Sequence, residues 1–243
     1  MATKSKSAYV CNDCGADYRK WQGQCGECSA WNTLSEVRLG PAARSGKILR
    51  PGFAGAVDGA VKTLAEIALD EIPRISTGTG ELDLVLGGGL VPGSAILVGG
   101  EPGAGKSTLL LQTLCKLAEN NTALYVTGEE SPQQVAMRAR RLDLPADKLE
   151  IMAETSVETV CAIAEQKRPK ILVVDSIQVM HIEEVSSAPG SVSQVRESAS
   201  MLVRFAKQTG TVLILVGHVT KDGSLAGPKV LEHMIDCSLM LEG

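Results

Sequence analysis

The chain has 243 residues, of which 44% are hydrophobic and 21% charged, which suffices for one globular domain and a small additional module. Its 24 basic and 28 acidic side chains give a formal net charge of -4, which excludes a surface coated with basic charge and limits nucleic-acid contact to local patches. No apolar run approaches the roughly 20 residues of a membrane span, and the N-terminus lacks a secretory signal pattern, so we expect a soluble, cytoplasmic protein.

Composition divides the chain into two units. Four of the seven aromatic residues and four of the seven cysteines fall within the first 31 residues, whereas the remainder is rich in Leu, Val, Ile and Ala. We predict a four-cysteine module over residues 1–35, a linker rich in Gly, Ala and Pro over 36–60, and a larger core over 61–243.

The N-terminal module carries two CxxC pairs, Cys11 with Cys14 and Cys25 with Cys28, with ten residues between them. Each pair places two thiolates on one tight turn, and two such turns complete a tetrahedral zinc site. Because so short a segment cannot build a stable core alone, metal binding would supply its folding free energy. Disulfides are the competing account, which paired CxxC spacing in a cytosolic chain disfavours.

Glycines and aromatic residues surround these cysteines. Gly15 and Gly26 are expected to supply the positive φ angles that the cysteine turns need. Tyr9, Trp21 and Trp31 are expected to pack the core of the module, and stacking on nucleobases is the alternative.

A phosphate-binding loop follows the first strand of the core. Residues 95–98 form an apolar run of strand length, and residues 109–117 have a helical apolar pattern. The segment between them matches G-x-x-x-x-G-K-[ST], whose main-chain amides bind the phosphates of ATP or ADP. Lys106 is predicted to reach the β- and γ-phosphates, and the Ser107 hydroxyl to bind Mg²⁺. The predicted nucleotide-binding residues are Gly100, Glu101, Pro102, Gly103, Ala104, Gly105, Lys106, Ser107 and Thr108.

Two further strands end in carboxylates. Asp175 follows four apolar residues, as expected of an Mg²⁺-organising aspartate at the carboxyl edge of a parallel sheet. Glu129 and Glu130 follow the strand over 123–127, and a carboxylate there can orient or deprotonate the attacking water. We favour Glu129 as the base because it is nearer the strand end, while both residues could instead be acids of a helix start.

A fourth strand, over residues 211–216, precedes His218, which could contact the γ-phosphate or be structural. Helices are predicted near residues 132–142, 157–166 and 191–208, the last ended by Gly210. Alternating strands and helices indicate an α/β fold with a mostly parallel sheet flanked by helices.

Several motifs together resemble a known family. Residues 77–83 (TGTGELD) and 86–94 (LGGGLVPGS) precede the phosphate loop as they do in RecA-, DnaB- and KaiC-type ATPases. The four-cysteine module and residues 217–229 (GHVTKDGSLAGPK) narrow the resemblance to the bacterial RadA (Sms) family of DNA repair and recombination ATPases. The resemblance covers residues 9–243.

This resemblance implies a RecA-like P-loop core that acts as a DNA-dependent ATPase, of the branch-migration or helicase type, on single-stranded and branched DNA. It also implies a hexameric ring and a RecA-type recombinase as partner. Glu129 falls at the catalytic glutamate and His218 at the γ-phosphate sensor. Residues 180–195 and 220–229 match two DNA-contacting loops. Arg196, directly after the first loop, and Lys221 and Lys229 of the second are the candidate phosphate ligands.

The sequence also departs from the family. The lysine-asparagine-arginine-phenylalanine-glycine motif and the Lon-protease-like C-terminal domain are absent, so we expect a truncated chain with weak hydrolysis and impaired ring formation. Two alternatives stay open: a KaiC-like regulatory ATPase whose nucleotide state controls protein partners, and a cysteine module that docks other recombination proteins.

Overall fold

The computed structural model of the protein describes residues 6–11, 13–39, 63, 73–218 and 231–242. Its N-terminal part is a three-stranded antiparallel sheet in the order β2-β1-β3. The strands are β1 (Lys6–Cys11), β2 (Asp17–Tyr18) and β3 (Leu34–Leu39). The last strand extends past residue 35, where we placed the end of the module, and residues 40–62 lie outside the described part.

The interior of this module is small. Among the residues whose side chains the structure describes, Cys11, Cys25 and Leu34 are buried, and Tyr9, Ala16 and Tyr18 pack against them. The expectation for Tyr9 is therefore met, whereas the expectation for the two tryptophans is wrong. Trp21 is 56% exposed and Trp31 68% exposed. The cysteines and the two tyrosines already fill an interior this small, which leaves no room for two indole rings.

The core contains a six-stranded sheet in which every pairing is parallel. The strand order is β6-β5-β7-β8-β4-β9. The strands are β4 (Ala95–Gly100), β5 (Ala123–Thr127), β6 (Glu150–Ala153), β7 (Ile171–Asp175), β8 (Val212–Val216) and β9 (Cys237–Leu241). The helices are α1 (Gly80–Val85), α2 (Lys106–Ala118), α3 (Pro132–Arg141), α4 (Val157–Lys167) and α5 (Val192–Thr209).

Helices cover both faces of this sheet. Apolar residues of α4 and α5, such as Val160 and Leu202, pack on one face with Leu172 of β7. On the other face, Leu114 of α2 and Val135 of α3 pack with neighbouring strands. The central strands are buried along their whole length, as expected of a sheet covered twice. The α/β class predicted from the sequence is confirmed.

Local sequence signals set several element ends. The Ser131 hydroxyl accepts from the N–H of Gln134, and the Gln134 side chain accepts from the N–H of Ser131, forming a capping box with Pro132 at the first helical position. Gly210 ends α5 with a φ of 74°. Within the described part, no helix is both long and apolar enough to span a membrane.

Candidate functional site

The loop between β4 and α2 has the backbone of a phosphate cradle. Gly103 and Gly105 have φ angles of 88° and 90°, and no atom lies within 4 Å of where a Cβ would stand on either residue. Glycine therefore leaves open space beside the loop and permits its left-handed turns. Gly105 is also the N-cap of α2, so the positive end of that helix dipole faces the same space.

Lys106 brings a positive charge to this loop. Its side chain is buried, and Nζ donates hydrogen bonds to the carbonyl oxygens of Gly100 at 2.7 Å and Glu101 at 2.8 Å. Burial lowers the pKa of Lys106, while the nearby charges of Asp175 and Glu129 act in the opposite direction. The structure thus places these three predicted residues in one electrostatic cluster.

Asp175 ends β7 beside the phosphate loop and is held by a residue that sequence reasoning missed. The buried hydroxyl of Tyr125, on the adjacent strand β5, donates to Asp175 Oδ2 at 2.5 Å. Burial and the Asp175 charge strongly raise the pKa of Tyr125, which keeps its proton on the phenol. A hydroxyl in the middle of a buried strand needs such a partner, and that requirement was the available signal.

Glu129 contacts two polar side chains that follow the ends of β7 and β8. Its Oε1 accepts from the Ser176 hydroxyl and lies 3.2 Å from His218 Nε2. The backbone N–H of Gly128 donates to the carbonyl of Asp175 at 2.8 Å, which fixes the end of β5 against the end of β7. A Cβ on Gly128 would lie 2.3 Å from Val179 Cγ2, so only glycine permits this approach. Ser176 was missed, although its position directly after Asp175 puts it at the same sheet edge.

The neighbouring Glu130 is engaged elsewhere. Its carboxylate pairs with the Arg138 guanidinium of α3, and its backbone exchanges two hydrogen bonds with the Thr127 side chain. Of the two candidate bases, Glu129 therefore faces the cluster and Glu130 secures the start of α3.

His218 follows β8, whose end is joined to β4 by a bond from the N–H of Gly217 to the carbonyl of Val98. The Gln178 side chain, also missed from sequence, donates to the His218 carbonyl at 3.4 Å. Gln178 Oε1 and His218 Nδ1 are buried without a hydrogen-bond partner among the described residues. Gln178 thus links the segment after β7 to the segment after β8.

Of the three candidate DNA-binding cations, Arg196 lies among the residues that the structure describes. Arg196 is exposed in the second turn of α5, with its guanidinium 3.1 Å from the Glu197 carboxylate. Buried Gln194 donates to the carbonyls of Ile182, Val185 and Ser187, and so holds the first predicted loop in a defined shape. Lys221 and Lys229 lie outside the described residues.

The four cysteines of the N-terminal module converge on one point. Their Sγ atoms lie within 4.8 Å of one another, with Cys11 and Cys28 at 3.7 Å and Cys14 and Cys25 at 3.4 Å. Sulfur ligands about 2.3 Å from a tetrahedral metal are separated by about 3.8 Å, so the donor set fits such an ion.

Hydrogen bonds favour the thiolate at one of these cysteines, Cys25, whereas burial raises the pKa of Cys14 to about 12. The backbone N–H of Cys28 and the Tyr18 hydroxyl lower the pKa of Cys25 to about 6, which favours the thiolate. Gly15 has the positive φ expected of it, at 77°, but Gly26 does not. In the second turn the left-handed residue is Ser29, at 59°, because each turn places it directly after the second cysteine.

Comparisons with known proteins agree with both parts of this structure. A family model described as an AAA domain matches residues 65–224, and one described as a rubredoxin metal binding domain matches residues 9–36. The class of protein is therefore a P-loop ATPase-type domain preceded by a small metal-binding module.

The chain belongs to the AAA domain family, and its whole length is similar to bacterial proteins named DNA repair protein RadA. It is 64% identical over 243 residues to the one from Haemophilus influenzae, 63% over 247 residues to that of Escherichia coli K12, and 44% over 245 residues to that of Bacillus subtilis. These alignments cover 99–100% of this chain and 52–53% of each relative. The chain thus spans about half the length of the relatives it matches, and the resemblance to RadA is confirmed.

Proposed function

We propose that this protein hydrolyses ATP in a DNA-dependent manner and uses the reaction to move on DNA during repair. The proposal rests on the cluster of four side chains at one edge of the sheet, Lys106, Glu129, Asp175 and His218. This cluster lies next to the ends of β7 and β8, the strands that precede the two candidate DNA loops. The similarity to DNA repair proteins supports the choice of DNA as the regulating partner.

In this proposal the phosphate loop binds the triphosphate through main-chain amides, and Lys106 leaves its two carbonyl partners to neutralise the β- and γ-phosphates. Ser107 and Asp175 would hold Mg²⁺, which supplies charge neutralisation for the transferred phosphoryl group. The Tyr125 hydroxyl holds Oδ2 of Asp175, which would leave Oδ1 for the metal.

Glu129 acts as the base. Its carboxylate accepts a proton from the attacking water, the water oxygen bonds to the γ-phosphorus, and the bond to the bridging oxygen of ADP breaks. Ser176 and His218 contact Glu129 Oε1 and so orient the carboxylate. Loss of the γ-phosphate would change the contacts of His218, the last described residue before the second loop. That change would alter how the second loop binds DNA.

Zinc is the ion we propose for the four cysteines, since a closed set of four thiolates matches its structural sites. The site has no open coordination position, so we assign it a folding role and no step of the reaction. For a protein of the relatives' full length, assembly into a hexameric ring, action on branched DNA, and cooperation with a RecA-type recombinase complete the proposal.

The test compares ATP turnover with and without single-stranded DNA in the wild type, Glu129→Gln and Glu130→Gln. We expect DNA to stimulate the wild type, and Glu129→Gln to lower kcat by about 100-fold or more while ATP still binds. Glu130→Gln is the matched control and should keep most of the turnover, with reduced stability of α3. Turnover without DNA stimulation or DNA binding would instead favour the regulatory ATPase, and equal losses in the two variants would contradict the role of Glu129.

A further inference from the structure

The two tryptophans of the metal module form an exposed aromatic surface. Their six-membered rings flank Gly23: a Cβ on that glycine would lie 3.7 Å from Trp31 Cζ3 and 3.8 Å from Trp21 Cη2. We call the surface formed by Trp21, Gly23 and Trp31 the tryptophan pair.

The backbone holds this pair in place. Gln24 and Trp31 form an antiparallel bridge, and the N–H of Asn32 donates to the carbonyl of Gly23 at 2.8 Å. The two rings are therefore carried by segments whose relative position the main chain fixes, close to cysteine Cys25. A pair of large aromatic rings presented on a rigid support suits a planar ligand, because little conformational entropy is lost on binding.

Exposure of this kind is unusual for the module. Among the residues of the module whose side-chain exposure the structure describes, Trp21 and Trp31 are the exposed large hydrophobic ones. The surface therefore offers two aromatic side chains to solvent, and aromatic residues are the type that binding surfaces favour.

The charges beside the pair favour an anionic ligand. Arg19 and Lys20 directly precede Trp21, whereas the acidic residues nearest to either tryptophan in the chain, Asp17 and Glu27, each lie four positions away. Both cations are exposed. Aromatic rings next to basic side chains are the combination with which proteins bind single-stranded nucleic acid, since the rings stack on bases while the cations contact phosphates.

We propose that the tryptophan pair is a stacking site for an unpaired base of single-stranded DNA, with Arg19 and Lys20 on the adjoining phosphates. The inference extends the proposed function by giving the DNA a second contact outside the ATPase core. It does not depend on Glu129 or on hydrolysis.

The chain provides its own probe, because Trp21 and Trp31 are its only tryptophans. The zinc-loaded chain is titrated with end-labelled oligo(dT), and with an oligonucleotide of equal length that lacks bases, while dye anisotropy and tryptophan emission are recorded together. We expect oligo(dT) to quench the tryptophan emission as it binds. The abasic strand, at concentrations where anisotropy shows it bound, should leave the emission unchanged.

Substitutions separate stacking from simple apolar contact. Trp21→Leu and Trp31→Leu keep an apolar side chain and lose the aromatic face, so each should weaken oligo(dT) binding by about tenfold. Trp21→Phe and Trp31→Phe should restore most of the affinity. Zinc content, measured for every variant, verifies that the module is folded.

Three results would overturn the proposal. If oligo(dT) binds without changing the tryptophan emission, the DNA binds elsewhere on the protein. If the abasic strand also quenches the emission, the quenching is not caused by stacking of a base. Leucine variants that bind DNA normally but lose contact with a RecA-type recombinase would make the pair a protein-docking surface. None of these results would contradict the proposed ATPase activity, because its stimulation by DNA is measured separately. Lys106→Ala should still show quenching of the tryptophan emission by oligo(dT).

Discussion

The metal module and the ATPase core reach a defined structure by different means. The core buries entire strands such as β7 and β8 between two layers of helices. The module buries Cys11, Cys25 and Leu34 and leaves both of its tryptophans in solvent. Apolar burial stabilises the first, whereas the second depends on what its four thiolates bind.

This difference also separates the kinds of chemistry that each part supports. A doubly covered sheet brings residues distant in sequence to one rigid edge, as it does for Lys106, Glu129 and Asp175. A module organised around one ion has few interior positions, so its large side chains are available to contact other molecules.

The largest effect is expected from removing the metal. A strong chelator should unfold the module and leave the thermal transition of the core unchanged, because metal binding supplies on the order of 10 kcal/mol to sites of this type. Tryptophan emission follows the module, and far-ultraviolet circular dichroism follows the core. Cys28→Ser should reproduce the loss without chelator. A matching fall in the melting temperature of the core would show that the two parts are not independent.

Within the core, Gly100→Ala tests how closely the phosphate loop is packed. The added Cβ would lie 2.6 Å from the Leu241 carbonyl oxygen of β9, so we expect a loss of about 1–3 kcal/mol and weaker ATP binding. Gly80→Ala is the matched control, since no atom lies within 4 Å of its Cβ position. Chemical unfolding and nucleotide titration measure both variants, and equal stability in the two would contradict the packing.

Tyr125→Phe tests the support of Asp175. Removing the hydroxyl leaves Asp175 Oδ2 without its buried donor, so the Mg²⁺ concentration for half-maximal turnover should rise by about tenfold. ATP hydrolysis measured across a magnesium series gives this value. Saturating Mg²⁺ should restore most of the turnover, and a variant inactive at every Mg²⁺ concentration would assign Tyr125 a different role.

The smallest effect is expected in the module, at Ser29. Its φ of 59° is strained for any residue with a Cβ, so Ser29→Gly should stabilise the metal-bound module by about 0.5–1 kcal/mol. Gly15→Ser, at the equivalent position of the other turn, should have the opposite sign. Competition with a chromophoric chelator reports both, and a faster loss of metal from Ser29→Gly would count against this reading of the turns.

The sequence predicted the core better than the module. Buried parallel strands and the capping of α3 leave strong local signals, so helices α2 to α5, the four internal strands and the sheet class were predictable. The edge strand β6 was not, because its half-exposed four residues carry no continuous apolar run. Helix α1, six residues long with no buried side chain, gave no apolar stripe.

The residues of the candidate site were also predicted only in part. Residues defined by a motif or by a strand end were predictable, and Lys106 and Asp175 are examples. Tyr125, Ser176 and Gln178 act through partners 40 to 50 residues away, and such contacts depend on strand order. The tryptophans were misjudged because composition does not reveal how little interior a metal-centred module has.

The central claim is that main-chain amides around Gly103 and Gly105, with Lys106 as counter-charge, bind a triphosphate. Titration with labelled ATP and ADP of the wild type, Lys106→Ala and Lys116→Ala, an exposed lysine of the same helix, tests it directly. We expect Lys106→Ala to weaken binding by about 100-fold and to abolish turnover, while Lys116→Ala behaves as the wild type. Unchanged affinity and turnover in Lys106→Ala would contradict the account.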